Sequence, residues 1–528
     1  MDMKRLFSSC FLSLILLPLS ACGTEDGPAE PPAPTGLQAS VTSLSARNRV
    51  PLSPAPTIQV VDASGSPISQ SGISILATLS GGEGELVGVP SVSTTTSGIA
   101  RFPDIAVAGR TGSFVLSFSS SGLTGTSISV GLTAGIPFSI SALSPEEQVG
   151  IVGTEVQDPP LVKVTDQDGN PVSGEEVEFS ITQGGGTVSS SSEETDGAGT
   201  ARLESWSLGP AAGWNLIQAS TPEVGGSPLS FSAYAFPRFL EISTTGPQPT
   251  FATGVTFNRT RGMVTLANNR TGLWEMAPSG GGWTQLSPTM PGGARIYAVV
   301  HEARQQLLVI SETQGPSYFD YGEGEWKTAD LGDVPGARSY PGMVYDSANS
   351  RVLLYGGVLT GGSSNPVPEL FEWDGDSWTK LPNPPAGRRG GHRMVYDPAN
   401  AEVFIHGGTD FGNPTGGVAV QDTWVMRSSG EWEVIDTLPA PLAGFGMAFE
   451  ENRRTLVLVG GTTVGSGGYG LSDQVWEHVN GEWVLSPIRS PGGPRVYNSL
   501  FFVPDTNQVI LYGSEHAGWN DLWSYGGG

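Results

Sequence analysis

The chain has 528 residues, enough for three or four domains of ordinary size, so a single small module is excluded. Glycine and proline are abundant, at 74 and 41 residues, while charged side chains make up only 15%; that balance favours turns and strands over charged helices. Fifty-one acidic against 26 basic residues leave a net charge of -25, which repels phosphate backbones and argues against nucleic acid as a partner.

Lys4 and Arg5 precede an apolar run from Leu6 to Leu19, too short to cross a bilayer as a helix but suited to the core of a secretory signal. The run ends in Leu19-Ser20-Ala21-Cys22-Gly23, which resembles a bacterial lipobox. The resemblance implies a signal peptide over 1–21, cleavage before Cys22 and a diacylglycerol anchor on its sulfur. Gly23 after the cysteine is similar to lipoproteins sorted to an outer membrane, so a bacterial cell envelope location, with the membrane as partner through Cys22, is expected. The only other cysteine, Cys10, lies inside the signal, so the folded part has no disulfide, thiolate metal site or cysteine nucleophile. Residues 22–34, rich in acid and proline, read as a solvated tether.

Two similar modules follow, expected over 35–135 and 136–235. Val60-Val61-Asp62-Ala63-Ser64-Gly65-Ser66-Pro67-Ile68 matches Val164-Thr165-Asp166-Gln167-Asp168-Gly169-Asn170-Pro171-Val172, a strand, a tight turn and a second strand. Alternating runs such as Val177-Glu178-Phe179-Ser180-Ile181 suit sheets with one buried face. The second copy, with Gly184 to Gly186, Thr195, Asp196, Gly199 and Ala201, resembles the bacterial Ig-like domains of the invasin and intimin type, which implies β-sandwiches. The first copy departs from that pattern at Glu83. Asp166, Asp168 and Asn170 have the alternate spacing of a calcium loop, but Gly169 and Glu178 stand at the wrong offsets, and an Asx-type hairpin turn is expected instead.

From 236 to 528 a second repeat appears. Trp283, Trp326, Trp378, Trp432 and Trp483 recur at intervals of 43, 52, 54 and 51 residues, each preceded by a second aromatic. Glycine pairs close apolar strands at Gly356-Gly357, Gly407-Gly408 and Gly460-Gly461, with a reduced version at Gly513. Glycine permits a sharp turn where sheets crowd, and indole rings wedge between neighbouring sheets. These residues resemble kelch-repeat β-propellers, so the fold class expected is all-β: two Ig-like sandwiches followed by a six-bladed kelch-like propeller, with seven blades as the alternative. The last unit stops after its third strand, and Arg238-Phe239-Leu240-Glu241-Ile242-Ser243 is expected to supply the missing one.

Arg295, Arg338, Arg389 and Arg495 precede the expected inner strands, and Tyr297, Tyr340 and Tyr497 follow three of them by two residues. His392 is the histidine nearest this rim, which the loops 358–369, 409–422 and 462–474 would surround. Two readings stay open: an arginine ring that binds an anionic ligand such as a glycan carboxylate, or arginines that pair with carboxylates and brace the ring. Gly465 to Gly470 spells a dinucleotide fingerprint but is flanked by strands, so a blade loop is expected. No catalytic signature, metal-ligand spacing or cofactor motif is present in the sequence. The copper mechanism of galactose oxidase-like kelch proteins needs a cysteine that the propeller lacks, and the turns before Trp378 and Trp483 do not match the Asp-box of propeller sialidases. The expected function is recognition of a glycan or protein ligand by a surface-anchored lipoprotein with Ig-like spacers. The alternatives are a kelch-type enzyme acting on an acidic sugar, or a non-catalytic envelope scaffold.

Overall fold

The computed structural model describes residues 32–245, 254–293, 295–362, 365–410, 418–465, 468–514 and 519–526. The signal segment and Cys22, together with parts of the three long loops, lie outside the described residues. The described chain is all-β, with one 3-10 turn at Pro504–Thr506. It divides into two compact units, Met1–Pro137 with Thr165–Asn170, and Phe138–Val164 with Pro171–Gly528.

In the first unit a three-stranded sheet (Gly36–Ala39, Thr57–Val61, Ile99–Arg101) and a five-stranded sheet (Ser43–Arg47, Thr126–Thr133, Gly112–Ser119, Ser74–Ser80, Ser91–Ser93) share one core. Alternate residues Phe114, Leu116 and Phe118 of the larger sheet meet Ile58, Val60 and Ala100 of the smaller, as period-two patterning requires. The turn Thr165–Asn170 resolves the calcium-like spacing. Asp166 Oδ1 accepts the backbone N–H groups of Asp168 (3.0 Å) and Asn170 (2.9 Å), while Asp168 is held by Arg49 Nε at 2.6 Å. It is an Asx turn.

Residues 138–236 repeat the strand order of the first module in both sheets, so the sequence repeat is also a repeat of topology. The sequence reading draws a domain boundary at 236, yet this module belongs to the same compact unit as everything after it. Tyr234 and Phe236 pack with Val479, and the Tyr234 hydroxyl donates to Glu477 Oε2 at 2.7 Å.

Among the described residues from 239 onward the chain forms six four-stranded antiparallel sheets, here I to VI. Their first strands are Gly254–Asn258, Ile296–His301, Gly342–Asp346, Arg393–Asp397, Gly446–Glu450 and Ser499–Val503. Each first strand packs on the next, and the sixth packs on the first, so the sheets circle a common axis as in a β-propeller. Phe239–Ile242 supplies the fourth strand of sheet VI, pairing antiparallel with Trp519–Tyr525 from Phe239 opposite Tyr525 to Ile242 opposite Leu522. The expected closing strand therefore exists, and it covers what would otherwise be an open edge.

The indoles do wedge between sheets. Trp378 of sheet III donates from Nε1 to Ala329 O at 3.0 Å, beyond the last strand of sheet II, and Trp483 of sheet V donates to Thr423 Oγ1 of sheet IV at 3.1 Å. At the other end of five of the six first strands a polar residue caps the turn into the second; the sixth ends in Val503. Asp397 Oδ1 accepts Ala399 N at 2.9 Å, and Asp346 Oδ1 accepts Asn349 N at 3.2 Å. Both aspartates end a Val-Tyr-Asp string, Val344 to Asp346 and Val395 to Asp397.

Candidate functional site

Three of the four arginines share one environment. Arg338 donates from Nη1 to Gly356 O at 3.0 Å and from Nε to Gly336 O at 3.0 Å. Arg389 repeats this with Gly407 O (3.2 Å) and Ala386 O (3.1 Å), and Arg495 with Gly513 O (3.1 Å) and Pro491 O (3.0 Å). Their carboxylate partners are Glu369, Asp422 and Asp521. The accepting carbonyl belongs each time to a glycine with φ between +60° and +67°, where the chain leaves its second strand. Arginine and glycine thus form one device: the glycine turns the chain, and the arginine satisfies the carbonyl that the turn exposes. All three guanidinium groups are buried, at 1% exposure or less. Of the two readings left open by the sequence, bracing fits Arg338, Arg389 and Arg495, which face protein and hold each sheet against its own turns; they do not present a basic rim.

Arg295 is a different case. Counted back from the last inner-strand residue, His301, it aligns with Tyr340, Gly391, Gly444 and Tyr497, not with the bracing arginines. Except for Arg295 these positions have positive φ, from +53° at Tyr497 to +72° at Gly391. Their backbones form a relay: Gly391 N donates to Tyr340 O (2.9 Å), Gly444 N to Gly391 O (2.9 Å) and Tyr497 N to Gly444 O. Four sheets are thereby laced together at this end of the axis. Left-handed backbone is costless for the two glycines and strained for the two tyrosines. The strained pair stack on each other, with ring centroids 5.0 Å apart and planes 29° apart. Arg295 lies over the Tyr340 ring at 4.8 Å, bonds Glu312 at 2.7 Å, and Tyr297 meets Tyr340 edge-on at 6.5 Å. The structure therefore brings Arg295, Tyr297, Tyr340 and Tyr497 together.

His392 does not join them. It is fully buried, its ring 5.0 Å from that of Tyr355, in space left by two glycines: a Cβ at Gly342 would lie 2.5 Å from its Nε2 and one at Gly356 2.9 Å from its Cε1. Burial, with the charges of Arg389 and Arg393 beside it, pushes its pKa well below the ordinary histidine value. His392, the histidine expected nearest the rim and a candidate ligand contact there, is instead a buried packing residue.

Its neighbour Arg393 is what the sequence reading missed. Two residues further along the inner strands stand Gly254, Tyr297, Gly342, Arg393, Gly446 and Ser499, so glycine alternates with a side chain around the axis. From sheet IV the Arg393 guanidinium donates from Nη2 to Asn498 O, beside the first strand of sheet VI, at 3.4 Å. A charged residue at a position otherwise occupied by glycine, serine or one tyrosine is a departure from the repeat that could have been noticed.

Below Arg393 the first strands enclose a cavity of about 640 Å³. Val255, Met343, Met394, Met447 and Leu500 line its middle, and Arg295, Tyr297 and Tyr497 its relay end. The opposite end is lined by Arg259, Thr260, Ala303, Ser347, Ser350 and Pro398, all exposed residues of the turns between first and second strands. Those turns are tied from sheet to sheet: Glu302 accepts Arg259 N (2.9 Å), the Tyr345 hydroxyl accepts Ala303 N (3.2 Å) and the Tyr396 hydroxyl accepts Ala348 N (3.1 Å). No cluster of metal-ligating side chains occurs among the described residues.

No family model matches the chain. No curated protein matches it either. Among solved structures, YjhT is similar at 14% identity over 53% of this chain and 95% of that one, with a TM-score of 0.40. A structural genomics protein of unknown function from Bacteroides thetaiotaomicron VPI-5482 is similar at 12% identity over 74% of this chain and 98% of that one, with a TM-score of 0.37.

Proposed function

We propose that this chain is a lipid-anchored envelope protein whose six-bladed, kelch-like propeller recognises an anionic ligand carried by a glycan or a protein. The observation that carries the reading is the meeting of Arg295 and Arg393 with Tyr297, Tyr340 and Tyr497 at one end of the axial cavity. Guanidinium groups supply forked donors for a carboxylate, and strained aromatic residues are what a binding site retains at some cost to stability. The lipobox-like Leu19-Ser20-Ala21-Cys22 supports the anchor. The repeated strand order of the two sandwiches supports Ig-like modules between anchor and propeller.

The test is a binding screen of glycans and outer-membrane proteins against residues 35–528, run in parallel on Arg295→Gln and Arg393→Gln. Binding without turnover, lost in both variants while their melting temperatures hold, is the expected result. A ligand bound equally well by both variants would remove the site from the reading, and turnover of the bound acid would replace recognition by catalysis.

A further inference from the structure

We infer that the axial cavity takes a carboxylate mounted on an apolar body, admitted body last from the turn end so that its anionic head reaches Arg393. This rests on the reading of the cavity as the ligand site, and it narrows the ligand class. The relay end is bound across four sheets by the hydrogen bonds from Tyr340 through Gly391 and Gly444 to Tyr497, whereas the turn end is lined by exposed Thr260, Ala303, Ser347, Ser350 and Pro398. Arg393 and the exposed turn residues are therefore at opposite ends of the first strands; the turn end also carries Arg259, whose guanidinium is paired with Glu451. From Arg393 to Pro398 the chain advances five residues along the strand, roughly 16 Å at about 3.3 Å per residue.

Between those ends the wall is Val255, Met343, Met394, Met447 and Leu500, at equivalent positions of five sheets. A saccharide needs polar partners all round its ring, and this middle tier offers none from these five side chains. Methionines instead adapt to an apolar shape. The volume of about 640 Å³ lies within the range of small-molecule sites. With a net charge of -25 the protein repels small anions at a distance, so burial of the apolar body has to drive association.

The probes are octanoate and decanoate, below their micelle-forming concentrations, with decanol and glucuronate as controls, titrated calorimetrically into the full chain. Saturable one-to-one binding of decanoate is expected, with affinity rising about fourfold for each methylene from octanoate, and with decanol about tenfold or more weaker. Arg393→Gln should weaken decanoate about 10- to 100-fold and leave decanol unchanged. Because Arg393→Gln changes an interior residue, Ser347→Trp provides a second arm: this residue is exposed at the mouth, and the bulkier ring should slow decanoate association without altering the melt. Affinity independent of chain length, unchanged decanoate binding in Arg393→Gln, or unchanged association in Ser347→Trp would each overturn the inference. Glucuronate bound in place of decanoate would overturn the apolar body and leave carboxylate recognition standing. If no acid binds, both fall.

Discussion

Arg389 and Asp422 face each other fork to fork, Nη1 to Oδ1 at 3.0 Å and Nη2 to Oδ2 at 3.2 Å, and the same Oδ2 accepts the indole N–H of Trp424 at 2.6 Å. Arg495, Asp521 and Trp523 repeat the arrangement in sheet VI. Truncating Arg389 therefore strips a carboxylate of its cation and two backbone carbonyls of their donor. Asp422 keeps 24% side-chain exposure, so the expected cost is about 2–4 kcal/mol, toward the lower side of a broken buried pair. Urea unfolding of Arg389→Ala measures it, and Arg389→Lys should recover little, since an ammonium cannot reproduce the fork. A loss below about 1 kcal/mol is what an exposed pair gives and would contradict the bracing role.

Tyr340 and Tyr497 occupy positions where sheets IV and V carry Gly391 and Gly444 at comparable φ. Replacing either tyrosine by glycine relieves left-handed strain of about 1–2 kcal/mol and removes a stacked contact of about 0.5–1.5 kcal/mol. Stability should consequently change by no more than about 1 kcal/mol in Tyr340→Gly and Tyr497→Gly, while ligand binding drops. A large destabilisation with binding intact would assign the tyrosines to the frame instead.

The repeat was legible because its causes are local. Glycine pairs mark positive-φ turns and tryptophans mark sheet contacts; each leaves a periodic trace. Even the closing strand at Phe239–Ile242 was legible, because the last unit is one strand short. The site was legible only in part, because a repeated residue and a functional residue look alike in a string. In the string Arg295 continues the arginine series, but strand register moves it by two residues, onto the position of Tyr340. Arg393 was hidden for the opposite reason: it directly follows His392, and only the alignment of inner strands shows a charge at a position held elsewhere by glycine, serine or tyrosine. The association of residues 138–236 with the later sheets left no such trace, since Tyr234 and Glu477 are far apart in sequence and neither belongs to a motif.

Among the described residues four histidines make the fold sensitive to mild acid; one is His478, whose pKa burial lowers against the pull of Asp436. Burial lowers the pKa of His301, pushes His406 down to about 3, and lowers His392 well below its ordinary value, with Arg389 adding to the effect at the last two. An unfolded histidine titrates near about 6.5, so below that pH the unfolded chain binds more protons than the folded one. Stability is then fully present above about pH 6.5 and falls as the pH drops, by up to about 1.4 kcal/mol per unit for each such histidine. Between about pH 6.5 and 5 the aspartates and glutamates are still mostly ionised, which isolates the histidine contribution. His392→Phe keeps a ring against Tyr355 and removes one titrating group, so its stability should fall less steeply across that window. A slope identical to that of the parent chain would show that His392 is protonated without penalty.

Tyr234, Arg453 and Glu477 join the second sandwich to sheet V through a buried triad. Arg453 Nη1 lies 2.8 Å from the Tyr234 hydroxyl and 2.7 Å from Glu477 Oε2, and Glu477 is fully buried. Burial disfavours the Arg453 charge, but attraction to Glu477 outweighs it and raises the guanidinium pKa, while burial and the adjacent Glu477 carboxylate raise that of Tyr234. The three members are unequal. Tyr234→Phe removes one hydroxyl and should cost about 1–2 kcal/mol. Glu477→Gln keeps the shape but leaves Arg453 with Glu450, 3.0 Å from its Nε, as its one remaining carboxylate partner, and should cost about 3 kcal/mol, the low end for a broken buried pair. If this triad fixes the module to the propeller, Glu477→Gln should also speed amide exchange in the strand Leu229–Phe236 before the inner strands of sheets I to III respond. Exchange rising uniformly through the unit would mean that the triad supports the whole unit and not this joint.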